Sequence, residues 1–194
     1  MWRRAEHRFL ASLAIALLFA WPASARAFDM AELMAMMARV EVSRVAFEET
    51  KQVATLSAPI VRRGTLRYVR PDRLEMRVET PYFERLDIVG DQLTIENRRG
   101  VRQFDLSGQP GPSAWVASIR ATLAGDRATL ARHFAFQLDG QPARWTLTLL
   151  PLDSALSGVI ARVSIEGAQA QLLRIEVDER MGDRTVLVVQ PGTR

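Results

Sequence analysis

The feature that most constrains this chain is a period of two, kept from Ser43 almost to the C-terminus. Alternating apolar and polar residues recur at 64–70, 73–79, 85–89, 92–96, 101–106, 134–138, 144–149, 159–165, 172–178 and 185–189. Turn signals separate them: Gly90-Asp91, Asn97-Arg98-Arg99-Gly100, the Gly/Pro stretch 107–112, the stretch 139–142, Gly167 and Gly182-Asp183. Short strands at this spacing, without a helix between each pair, belong to one antiparallel meander. Helical patterns occur in two places, before the alternation and as one interruption within it. Residues 29–40 carry Met30, Leu33, Met37 and Val40 on one helical stripe, with Asp29 placed to cap and Glu32 three residues on. Residues 113–123 put Trp115, Ile119 and Leu123 on one face; Gly125 ends that helix and Asp126 opens a second one reaching about 133. Two or three helices cannot cover both faces of a ten-stranded sheet, so the sheet must close or curl. The expected fold is mainly β, of the α+β kind: a single curved antiparallel sheet forming an incomplete β-barrel. The N-terminal helix and an inserted helical hairpin form its lid.

The first 27 residues stand apart. A basic start, the apolar run from Phe9 to Trp21, and Ala25-Arg26-Ala27 are the three parts of a secretory signal, so cleavage is expected after Ala27. The run is short for a membrane-spanning helix of about 20 residues. Residues 28–194 then form one exported domain. Removing Arg3, Arg4, Arg8 and Arg26 against Glu6 lowers the net charge from +4 to +1. The remainder has no positive field to hold nucleic acid, and no basic patch is interleaved with aromatics. With no cysteine in the chain, the domain must hold together by core burial, as a monomer large enough to do so.

Catalytic constellations fail to appear. His133 is the single histidine after the signal and cysteine is absent, which excludes His-based nucleophilic triads and ordinary zinc sites. No glycine-rich phosphate loop occurs, and no cofactor is expected. Glu75 and Glu79 share a strand face, but they alternate with Arg73 and Arg77 as on a solvated surface. Apolar surface remains. Alternation sends Leu66, Tyr68, Leu74, Met76, Val78, Leu86, Ile88, Phe136, Trp145 and Leu147 to the concave face, with Phe134, Leu138, Leu149, Val163, Ile165, Leu173, Ile175 and Val177 beside them. Any one of these could simply pack in a core. Together, a half-open barrel of about ten strands leaves more apolar wall than its side chains fill. That wall is the candidate ligand cavity, and Met37, Trp115, Ile119 and Leu123 are the candidate lid residues.

The run from Phe47 to Ile95, "FEETKQV…RRGTLRYVRPDRLEMRVETPYFERLDIVGDQLTI", resembles the N-terminal half of the LolA family, periplasmic carriers of outer-membrane lipoproteins. Its Phe-rich strand, the Gly-x-Leu strand ending in Arg70-Pro71 and the Gly/Asp turn carry the likeness. The run from Trp145 to Val189, with its Leu-x-Pro element and Asp-x-x-x-Gly-Asp-x-Thr turn, is similar to the C-terminal half. The resemblance implies an acyl-binding half-barrel in which Arg70 points inward and bonds lid-helix backbone, a latch on the empty carrier. An ordinary strand-end arginine is the rival reading. It also sets Leu74 where the family has a bulky aromatic, and so implies a differently shaped pocket. LolA proper continues further past its last strand, so a divergent LolA-like member serving lipoproteins, glycolipids or polyene lipids is expected. The functional expectation is a non-enzymatic carrier of acyl chains, moving them towards the outer membrane between an inner-membrane release complex and an outer-membrane acceptor. A lipid-sensing regulator of the same fold, bound to a signalling partner, is the alternative.

Overall fold

A computed structural model describes residues 28–107 and 110–190, without the side chains of 110–115 and 117. The expected signal segment and the side chain of Trp115 lie outside what is described. The elements are α1 (Met30–Met37), β1 (Val42–Gln52), β2 (Ile60–Val69), β3 (Arg73–Thr80), β4 (Glu84–Val89), β5 (Gln92–Asn97) and β6 (Gly100–Asp105). They continue as α2 (Pro110–Ala124), α3 (Arg127–His133), β7 (Phe134–Gln141), β8 (Arg144–Pro151), α4 (Ser154–Ser157), β9 (Ile160–Ala168), β10 (Gln171–Glu179) and β11 (Arg184–Gln190).

All strands belong to one antiparallel sheet, ordered β6-β5-β4-β3-β2-β1-β11-β10-β9-β8-β7. Each strand pairs with its sequence neighbour except at one junction: β1 joins β11, from Ala46 opposite Gln190 to Gln52 opposite Arg184. The sheet stays open between its edges β6 and β7, and α2 and α3 occupy the chain between them. Among the described residues the strand count is eleven, because β1 joins the ten segments read from alternation. Its pattern is masked at Glu49, a charged residue on the inward face, buried by two hydrogen bonds from Arg62 at 2.6 and 2.8 Å. The helices also differ in extent. The α1 helix stops at Met37 and α2 starts at Pro110, a residue type compatible with a first turn. The single turn α4, capped by Asp153, was not expected.

Two helix starts, those capped by Asp29 and Asp126, are the ones expected. The Asp29 carboxylate accepts the Glu32 N–H at 2.9 Å, and Asp126 accepts the Thr129 N–H at 3.0 Å. Between α2 and α3, Gly125 turns at φ +70°, where a Cβ would stand 2.3 Å from the Met34 carbonyl oxygen. Only glycine lets the end of α2 sit this close to α1.

The cross-strand register sorts the two faces. One inward row runs Ser43, Tyr68, Leu74, Ile88, Leu93, Phe104. The outward row beside it runs Arg67, Glu75, Asp87, Thr94. Outside, Arg73 holds Asp87 at 2.9 Å and Arg85 holds Glu75 at 3.0 Å, so Glu75 sits in an ion-pair ladder on the convex face. Exposed pairs of this kind add at most about 1 kcal/mol each, but turning such a strand by one residue would bury its arginines. We define the near rim as the end holding the β2–β3 and β4–β5 turns, and the far rim as the opposite end.

Across the β8–β9 pairing, Trp145 faces Gly167. The indole N–H donates to the Gln169 carbonyl at 2.9 Å, and a Cβ on Gly167 would lie 2.1 Å from the ring. The Gly167→Ala variant should lose about 1–3 kcal/mol through overpacking, read as a melting temperature several degrees lower by circular dichroism.

Candidate functional site

A cavity of about 350 Å³ lies between the concave face and α2, towards the near rim. Inward alternation on β2, β3 and β4 supplies its floor: Leu66, Tyr68, Leu74, Met76, Leu86 and Ile88. Ile119 and Leu123 close it from α2, and Ile175, Leu187 and Val189 form the opposite wall. Its size falls in the range of about 300–1,000 Å³ typical of small-ligand sites. Its walls are predominantly apolar, as suits hydrocarbon, with Ser43, Arg44 and Gln171 among the polar exceptions.

Six of the ten expected cavity residues therefore line the hollow, and four do not. Val78 follows Leu74 and Met76 on the same face, but one row nearer the far rim, opposite Gly64. There it borders a second cleft. Phe136, Trp145 and Leu147 stand on β7 and β8, where α3 and α4 pack against the sheet. Trp145 and Leu147 are 1% and 0% exposed among the core side chains, and the Arg127 guanidinium lies over the Phe136 ring at 5.7 Å. The protein's own helices fill that half of the concave face, so only the other half is hollow. Among the expected lid residues, Ile119 and Leu123 touch the cavity, while Met37 is wholly buried between α1 and its neighbours. Sequence reading missed the wall formed by Val40, Val42 and Val45, and by Ala170 and Leu172 at the β9–β10 turn. The alternation of β1 could have found Val45; nothing local marks Ala170.

Arg70 opens the β2–β3 turn at the near rim. Its guanidinium donates to the Ala38 carbonyl, to the Val40 carbonyl at 3.4 Å and to the Ala124 carbonyl at 3.2 Å. These are carbonyls at and just beyond the C-termini of α1 and α2, where backbone acceptors lack intrahelical partners and the helix dipole is negative. One cation thus ties both lid helices to the sheet. A second tie escaped sequence reading. Arg120 of α2 donates to the Gly90 carbonyl on the β4–β5 turn and approaches Asp72 at 3.9 Å. On the sequence it was merely the polar neighbour of Ile119.

The Tyr68 hydroxyl donates to the Pro71 carbonyl at 3.2 Å beneath this cluster. Burial pushes its phenol above the ordinary tyrosine value, against the opposing pull of Arg70 and Arg120. Among the described residues, no group of three or more His, Asp or Glu side chains could hold a metal ion. No described helix is long and apolar enough to cross a membrane.

A curved, lidded half-barrel with an apolar hollow defines an amphiphile-binding class of fold. The chain belongs to the family described as outer membrane lipoprotein carrier protein LolA-like, which it matches over residues 22–191. It is a divergent member. A LolA superfamily protein from Nitrosomonas europaea is 12% identical, covering 83% of this chain and 90% of that one, with a TM-score of 0.44. The lipoprotein LppX of Mycobacterium tuberculosis is 11% identical over 84% and 97%, TM-score 0.41. The MucA/MucB complex of Pseudomonas aeruginosa contains a chain 10% identical over 86% and 59%, TM-score 0.44. No curated protein matches.

Alkaline absorbance titration should reveal a phenol ionising above the ordinary tyrosine range, a step that Tyr68→Phe removes. Because the folded value is raised, the neutral phenol's stabilisation is complete below about pH 10 and declines as pH rises through the folded value.

Proposed function

We propose that residues 28–194 form an exported, non-enzymatic carrier that shields the acyl chain of a lipoprotein or other lipid in the periplasm. It would move that chain from an inner-membrane release complex towards an outer-membrane acceptor. The observation that carries this reading is the apolar hollow of about 350 Å³ beneath helices tied down by Arg70. Hydrogen bonds to a charged donor contribute about 1.5–3 kcal/mol each, so three of them make a firm but breakable latch. Burying on the order of ten methylenes, at about 0.8 kcal/mol each, offsets it. Cargo then opens the lid, and closing the lid helps to expel cargo. Leu66, Tyr68, Leu74, Met76, Leu86 and Ile88 are the acyl contacts in this reading. Membership of the carrier family supports it, as does the signal-like segment before Phe28.

Delipidated protein should take up a fluorescent fatty-acid probe saturably and in stoichiometric amount; absence of saturable uptake would overturn the proposal. The Arg70→Leu variant should load the same probe but release it about ten- to a hundredfold more slowly, because closure no longer opposes occupancy. Release at the parent rate in stopped-flow fluorescence would remove the latch and leave the cavity.

A further inference from the structure

The far rim carries a distinct surface. Among the described residues, every exposed large apolar side chain lies on or beside this rim except Val42, Val89, Phe104 and Val188. The most exposed are at loop tips: Met181, 85% exposed, on the β10–β11 turn, and Tyr82, 68% exposed, between β3 and β4. Leu56, in the loop from β1 to β2, and Leu152, after β8, continue the series. Local bonds join these loops into one arc. The Ala54 N–H donates to Asp183 at 2.9 Å, and the Arg180 N–H donates to the Val159 carbonyl at 2.8 Å. On the other side, the Arg98 guanidinium lies over the Tyr82 ring at 5.7 Å.

Charge on this rim is lopsided in a way that net charge hides. Its carboxylates are engaged: Glu79 with Arg77, Glu84 with Arg62, Glu96 with Arg85, and Glu179 and Asp183 with Lys51. Asp153 is occupied in capping α4. Arg98, Arg99 and Arg180 have no acidic partner among the described residues, and all three sit at turn tips. Uncompensated arginines beside a tyrosine and protruding aliphatic tips match a bilayer interface, where anionic headgroups meet the boundary of the acyl layer.

We propose that the far rim docks on a bilayer surface bearing anionic headgroups. Separate apolar tips with polar residues between them suit a fluid lipid surface, which closes around each tip, better than a rigid partner. Docking there leaves the cavity at the near rim pointing away from the bilayer, so membrane attachment and cargo exchange use opposite ends of the sheet.

The test is flotation of the chain from Phe28 onward, which carries every described element, with vesicles of phosphatidylglycerol and phosphatidylethanolamine or of phosphatidylcholine alone. Binding is expected to the anionic vesicles, to weaken with added salt, and to be poor on phosphatidylcholine. Charge reversal at Arg98→Glu with Arg99→Glu should lower it by about tenfold or more. Tyr82→Ser with Met181→Ser should lower it comparably, while Val89→Ser on the near rim binds as the parent does. Fatty-acid probe uptake, measured on every variant, should be unchanged, which separates this proposal from the carrier reading. Failure of the parent to float with anionic vesicles overturns the proposal, as does parent-level flotation of both far-rim double variants. A parent that sediments as a dimer, made monomeric by Tyr82→Ser with Met181→Ser, would instead assign the rim to a second copy of the chain.

Discussion

The pairing of the first strand with the last is the constraint on which the architecture rests. Along it, Phe47 faces Val189 and Glu49 faces Leu187, and two meanders distant in sequence become one sheet. Without this seam each half would expose an edge and a greasy face. With it, the open edges move to β6 and β7, where the chain between them is helical. The seam also carries the cavity wall, since Leu187 and Val189 line the hollow opposite Leu66 and Met76. Loop-closure entropy for such a distant pairing grows only slowly with length, and the apolar burial along the seam offsets it.

The concave face is divided between two fates by where the helices rest. Over β7 and β8, side chains such as Leu130 and Leu156 complete a core around Trp145 and Leu147. Over β2 to β4, α2 contributes Ile119 and Leu123 and a space remains. The helices over the hollow are held by packing of side chains such as Leu33 and Met37 and also by cations at their margins. Arg70 gathers the frayed ends of α1 and α2, and Arg120 pins α2 to the β4–β5 turn. Apolar contact is non-directional, whereas these bonds have a geometry that is either made or broken.

Much of this was legible residue by residue. The alternation at Leu66, Tyr68, Leu74 and Met76 named a wall because side chains in a strand have period two, whatever lies around them. Asp29, Gly125 and Asp126 marked helix ends through local hydrogen bonding and φ, which need no tertiary information. Arg70 was found through the resemblance of its Arg-Pro strand end to a known family. Glu49 shows the limit: a carboxylate on the inward face of β1 breaks the alternation, and only its distant partner Arg62 makes it sensible. Arg120 failed for the same reason, because its acceptors belong to turns 30 or more residues earlier.

Local chemistry along the chain thus determined which residues form strands, which faces are apolar, where helices begin, and the membership of a lipoprotein-carrier-like family. What it could not determine was which part of an apolar face stays empty. Trp145 and Met76 obey the same alternation, yet one is sealed in the core and the other borders a hollow. Emptiness is a property of what fails to arrive from elsewhere, set by how the described helices are seated on the sheet. Only the assembled tertiary structure holds that information.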